Sequence, residues 1–217
     1  MRNKPDYLNP DIPAGTRHYP IPLRPANDYS LQGYGRLVDD IDDINIEIVR
    51  WPATGTRPVD LDSGDEAGTV DGEFECSWRG DVVYGRNSAV GGHYILGYAC
   101  DPAQARKDHV NLPTQILLWH ANYHPDGGQL FFPLEPKPFI IPRALAGDDV
   151  TPEQFIAFHF DGTQGLYIHP NIWQEGVYGI SGTRRFRDRQ GTVHARVPFD
   201  FTAEFGCLLA VPIAEIA

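Results

Sequence analysis

The chain has 217 residues, 41% of them hydrophobic and 22% charged, with a formal net charge of −11. That length suits one β-barrel or sandwich domain, and the acidic balance argues against the basic face that a nucleic-acid partner needs. Three cysteines without a CxxC pair, Cys76, Cys100 and Cys207, argue against a disulfide framework or a thiolate zinc site and for a reducing compartment. No apolar run approaches the roughly 18 residues of a membrane span, and the N-terminus lacks the apolar stretch of a secretory signal. A soluble cytoplasmic protein is expected.

Residues 1–28 hold Pro5, Pro10, Pro13, Pro20, Pro22 and Pro25. Proline fixes φ and removes a donor, so this reads as an extended arm lying across its own domain or a neighbouring subunit. Residues 29–217 form a single domain on this reading. Residues 45–51 alternate with period two and predict a strand. Residues 52–73 are acidic and glycine-rich and predict a long surface loop, although the spacing of a calcium loop is not met.

Short β-type runs follow at 81–84, 93–98, 115–120, 129–132, 138–141, 155–160, 166–169, 193–199 and 207–211. Turn residues punctuate them, which predicts an all-β sandwich or closed barrel of at least eight strands rather than βαβ units. Two short helices are expected, at 102–106 with Asp101 as cap and at 151–154 with Pro152 at its start. Arg184, Arg185, Arg187 and Arg189, interrupted by Phe186 and Asp188, read as a solvated loop or strand face.

Two segments, 120–135 and 162–176, are dense in polar groups that a strand scaffold does not need. Along a strand, residues i and i+4 face one side, so His120 and His124 point together with Asn122 between them. Gln129 opens a strand that pairs back toward them, and His169 ends another. Histidine is both the commonest metal ligand and the natural acid–base group near neutral pH. These imidazoles with an amide oxygen suit either metal binding or direct proton transfer.

The order His-x4-Gln-x-Phe-x-Pro (His124, Gln129, Phe131, Pro133), followed by Tyr-x-His-x3-Trp (Tyr167, His169, Trp173), resembles the ureidoglycolate lyase family of the cupin superfamily. The run from Gln32 to Val38 is similar to that family's opening strand, and the resemblance extends from about residue 30 to the C-terminus. It implies a cupin-type β-barrel, or double-stranded β-helix, that dimerises. The implied reaction splits ureidoglycolate into glyoxylate and urea in allantoin degradation. Gln129 stands where the first cupin motif usually has glutamate. Gln174-Glu175 stands where many relatives have His-His.

The expected acid–base pair is His124 and His169, with Glu175 as a base standing in for a family histidine. Asn122, Gln129, Tyr167, Trp173 and Arg86 (or Arg36) are the expected substrate contacts. A weakly held divalent metal (nickel, zinc or manganese) would take His120, His124, Gln129 and His169 as ligands. The His124 and His169 rings are expected within roughly 8 Å of each other. Two other readings stay open: another cupin enzyme acting on a related small carboxylate, and a non-catalytic small-molecule-binding cupin.

Overall fold

The computed structural model describes residues 6–50, 52, 55–60, 68–110, 112–192 and 196–213. Trp51, residues 53–54 and 61–67 of the acidic loop and the start of the 193–199 run lie outside the described residues. In chain order the strands are β1 (Arg17–Pro20), β2 (Leu23–Pro25), β3 (Gly35–Val38), β4 (Thr69–Arg79), β5 (Val82–Asn87), β6 (Gly92–Tyr98), β7 (Gln115–Leu118) and β8 (His120–Tyr123). There follow β9 (Gln129–Pro133), β10 (Phe139–Ala144), β11 (Ile156–Phe160), β12 (Gly165–Ile168), β13 (Trp173–Gln174), β14 (Tyr178–Gly179), β15 (Thr183–Gly191) and β16 (Val197–Asp200). A short helix α1 (Phe201–Phe205) leads into β17 (Cys207–Pro212).

Among the described residues these strands form two sheets. One runs β1-β17-β7-β6-β5-β4-β15-β9-β12-β3, the other β16-β8-β13-β10-β11-β2, with β14 also on β10. The all-β expectation holds, with two curled sheets in a cupin-like arrangement. Their inner faces meet in a core rich in phenylalanine. Phe74, Phe131 and Phe186 come from the first sheet and Phe139 and Phe158 from the second, all buried. The Phe139 and Phe186 rings meet edge to face across the gap at 5.0 Å. Burying one such side chain stabilises the fold by roughly 1.5–3 kcal/mol.

The arm packs on its own domain. β1 pairs in parallel with β17, and β2 in parallel with β11, so each is the outer strand of a different sheet. Pro20 and Pro25 fit there, because an edge strand can lack donors on its solvent side. Further toward the N-terminus, Tyr7 O accepts a hydrogen bond from Ile95 N at 2.8 Å, which brings the arm to the rim of β6.

Four local expectations change. Residues 69–73, expected at the end of the acidic surface loop, instead open strand β4, paired with β15. Residues 45–50 make one isolated bridge, Ile48 to Gly127, rather than a strand. Their alternation is real, with Ile44 and Ile46 buried against Leu130 and Tyr167, but the backbone bonds to the 126–128 turn. Residues 102–104 are turn rather than helix. The Asp101 carboxylate accepts from Ala103 N and also from Gly15 N, so it ties a turn to the arm. Helix α1 arises where no helix was expected: the Asp200 side chain accepts from Thr202 N and Ala203 N, and Gly206 ends it at φ 61°. Residues 152–154 do form a helical turn, of the 3-10 type.

Candidate active site

The chain crosses from the first sheet to the second at Trp119, between β7 and β8. β8 therefore begins with an inward residue, and strand alternation does the rest: His120, Asn122 and, just past the strand, His124 all line one cavity of about 460 Å³. Gln174 on β13 sits opposite Asn122 and lines the same wall, followed by Glu175. Across the gap, β9 contributes Gln129 and Phe131, β5 contributes Asn87, and β6 contributes His93 and Tyr94. Tyr7 from the arm, Asp60 from the acidic loop and Arg196 before β16 close the rim.

Glu175 is the chemical centre. It is 2% exposed, and its Oε2 lies 3.1 Å from His120 Nε2 and accepts from Asn122 Nδ2 at 3.2 Å. Burial raises its pKa to about 8, opposed by the Arg196 charge, the Asn122 hydrogen bond and Arg143. Burial, and then the positive Arg196, pushes the His120 pKa well below the usual imidazole value. The pair therefore sits at neutral pH as a neutral imidazole beside a carboxyl that largely keeps its proton. His120 is sandwiched by aromatics, with the Trp119 ring centroid at 4.0 Å and that of Tyr7 at 5.2 Å. Arg196 is held by Asp60 (Nη2 to Oδ2, 2.6 Å) and lies 4.4 Å above the Tyr7 ring.

A second buried carboxylate supports the far wall. Asp188 accepts from Gln129 Nε2 (2.9 Å), Asn87 Nδ2 (2.7 Å) and Gln190 Nε2 (3.0 Å). Burial raises its pKa to about 6, with the Gln129 and Asn87 hydrogen bonds pulling the other way.

The structure thus brings together His120, Asn122, His124, Gln129 and Glu175. It does not bring His169 to them. Gln129 and Phe131 pair with Ile168 and Leu166, so the inward residues of β12 are those two. Tyr167 faces the outer cluster with Leu130 and Ile46, its hydroxyl accepting from Glu47 N at 3.1 Å. His169 packs edge-on against Tyr167 at 5.6 Å and is absent from the cavity lining. Trp173 is a core residue: its ring meets Tyr123 and Phe199, and its Nε1 donates to Gly147 O at 2.7 Å. Arg86 and Arg36 are exposed and line no part of the cavity, and Arg36 lies over the outer face of Tyr167. Among the described residues the cavity's arginine is Arg196.

The expected metal set fares likewise. Among the described residues no three His, Cys, Asp or Glu side chains converge as ligands. His169 is turned away, and both polar ends of the Gln129 amide are occupied, by Asp188 and by Gln174. That donor set does not fit a metal.

Asp188 and Arg196 escaped the sequence reading. For Asp188 a signal existed: it shares parity with Phe186 inside the arginine run, and both are buried. Arg196 is placed by tertiary contact with Tyr7 and Asp60, which no local pattern announces.

Residues 85–190 match the ureidoglycolate lyase family model. The chain is 34% identical over 82 residues to a ureidoglycolate lyase of Azotobacter vinelandii, covering 37% of this chain and 49% of that one. It is 35% identical over 89 residues to one of Pseudomonas fluorescens (40% and 52%). A third, from Stutzerimonas stutzeri, is 34% identical over 100 residues (45% and 59%). The matched part of the chain spans about half the length of these relatives. These matches bear out the family resemblance read from the sequence. Tyr7, Asp60 and Arg196 fall outside the 85–190 stretch.

Proposed function

We propose that this chain is a carbon–nitrogen lyase that cleaves ureidoglycolate to glyoxylate and urea. The observation that carries the proposal is Glu175, a buried carboxyl at the cavity wall with its pKa raised to about 8, held by His120 and Asn122. Ureidoglycolate carries a hydroxyl, a ureido nitrogen and a carboxylate on or beside one carbon. Lysis needs the hydroxyl proton removed and the leaving nitrogen protonated, and a carboxyl that holds its proton at neutral pH suits the second task.

On this reading His124 takes the hydroxyl proton and the carbon–oxygen double bond of glyoxylate forms. The carbon–nitrogen bond breaks, and its electron pair leaves with the urea nitrogen. Glu175 supplies the proton that completes urea. Proton return from His124 to Glu175 through solvent closes the cycle, with no redox change and no covalent intermediate. Arg196 holds the substrate carboxylate, a role that a guanidinium fork fits geometrically. His120 fixes the orientation of Glu175 and, being neutral, does not draw the proton away. The reading carries with it a cytoplasmic homodimer of purine catabolism; a concentration-independent monomer in sedimentation would refute the dimer.

Glyoxylate release from ureidoglycolate, with and without chelator, tests the assignment. The expected result is turnover well above the uncatalysed rate, lowered about a hundredfold or more in Glu175→Gln with the fold retained. It is also expected to fall as pH rises through about 8, where Glu175 loses its proton. Absence of glyoxylate release from the wild-type protein overturns it.

A further inference from the structure

The cavity wall carries a chain of side-chain amides whose orientation is set by the buried Asp188. Asp188, fully buried, accepts hydrogen bonds from three amide nitrogens. One of the three is oriented independently: Asn87 Oδ1 accepts from Ala89 N at 2.9 Å, so its Nδ2 must face Asp188. Gln129 gives its Nε2 to Asp188 and must therefore turn Oε1 toward Gln174. Gln174 answers with Nε2 at 2.8 Å, so its own Oε1 is left over. On the other side of the wall Asn122 gives Nδ2 to Glu175 Oε2, an oxygen that also faces His120 Nε2, and keeps Oδ1 free.

Gln174 Oε1 and Asn122 Oδ1 are both buried and, among the described residues, both lack a hydrogen-bond partner. The two residues face each other directly across β13 and β8, where paired side chains lie about 4.5–5.5 Å apart at Cβ. Both residues line the cavity, with the two oxygens themselves covered. A buried acceptor without a donor is costly, so a pair of them side by side selects a ligand that brings N–H groups.

We propose that Gln174 Oε1 and Asn122 Oδ1 form an acceptor pair that recognises the N–H-rich ureido end of the substrate, with Asp188 as the positioning residue that fixes its polarity through Gln129. The inference rests on the lyase reading for its substrate but makes a separate claim about which ligand chemistry the wall accepts. A urea-type –NH2 group satisfies the pair; an N-alkylated urea of similar dipole does not. The isosteric change Asp188→Asn places an NH2 among three donors. Gln129 relieves the clash by turning over, Gln174 follows, and the cavity then meets an Nε2 donor instead of an oxygen.

The test is ligand-observed NMR on the full chain with urea and tetramethylurea, neither of which needs turnover to be read. Wild-type protein is expected to bind urea about tenfold or more tightly than tetramethylurea. In Asp188→Asn that ratio is expected to fall to within about threefold. Gln174→Met, which removes the acceptor while leaving Asp188 bonded to Gln129, gives the same loss and serves if the first variant does not fold. General damage would weaken both ligands alike, and steric exclusion of tetramethylurea would leave the ratio unchanged in the variants. An unchanged ratio in a folded variant, or no urea binding to the wild type below denaturing concentrations, overturns the inference. Failure to release glyoxylate while urea selectivity persists would instead overturn the lyase reading alone.

Discussion

Strands β8 and β12 are each followed by a histidine, with opposite consequences. On β8 the polar residues His120 and Asn122 point into the cavity, and His124 follows them. On β12 it is the apolar pair Leu166 and Ile168 that points inward, and Tyr167 turns to the outer cluster with Leu130. A histidine after each strand reads alike in sequence, yet a strand has two faces and one residue of offset exchanges them. Partner register decides the matter. Ile168 sits opposite Gln129, so if Gln129 faces the cavity, Tyr167 cannot.

The sharpest way to break that comparison is to replace both histidines. His124→Ala should lower glyoxylate release by about a hundredfold or more, the usual loss of an acid–base group. His169→Ala should leave turnover within about threefold, since its ring packs on Tyr167 outside the cavity. Steady-state kinetics on the two variants, with circular dichroism to check the fold, decides it. An equal large loss in both would mean that the β12 face takes part in the chemistry after all.

A smaller effect separates the arginines. Arg196→Met should raise KM roughly tenfold or more, the size expected for losing a charge-assisted hydrogen bond to a carboxylate. Arg36→Met and Arg86→Met, both outside the cavity, should each change KM less than about twofold, as expected for surface groups. A large KM change in either would relocate the carboxylate anchor to the exposed rim.

These contrasts mark how far local pattern reaches. The all-β class, the runs that become β5 to β12, β16 and β17, and the shared face of His120, Asn122 and His124 follow from local pattern and turn residues, whereas the two longest strands, β4 and β15, do not. Helix α1 was hidden because five residues give no period, and only the Asp200 cap and Gly206 betray it. The inward set on β12 needed knowledge of register with β9, which is a non-local pairing. Tyr7, Asp60 and Arg196 meet through a cation–aromatic contact and an ion pair between segments far apart in the chain. Glu175 was legible as a carboxylate in an unusual place, but its raised pKa comes from burial contributed by the surrounding elements.

That burial predicts the smallest effect, a dependence of stability on pH confined to the β8–β13 side. Glu175 moves from 4.5 to about 8 on folding, so the native state holds a proton that the unfolded chain releases between those values. Stability from this group is complete below about 4.5 and is lost as pH rises toward 8. His120 and His159 act in the opposite sense, since burial lowers their pKa and costs stability as pH falls below 6.5. Asp188 finishes its titration near 6, and the buried Arg143, lowered to about 9, begins only above the window. Between pH 6.5 and 8 the two histidines oppose Glu175 only through the fading end of their unfolded-state titration, so the Glu175 contribution dominates toward the upper end. Thermal melts should show the wild-type midpoint falling by roughly a few degrees across that interval, at about 2–4 °C per kcal/mol for a domain of this size. In Glu175→Gln, whose amide keeps the shape and cannot ionise, the fall should vanish, while His169→Ala should keep it. A wild-type slope that survives in Glu175→Gln would place the titrating group elsewhere and remove the main support for Glu175 as the proton donor.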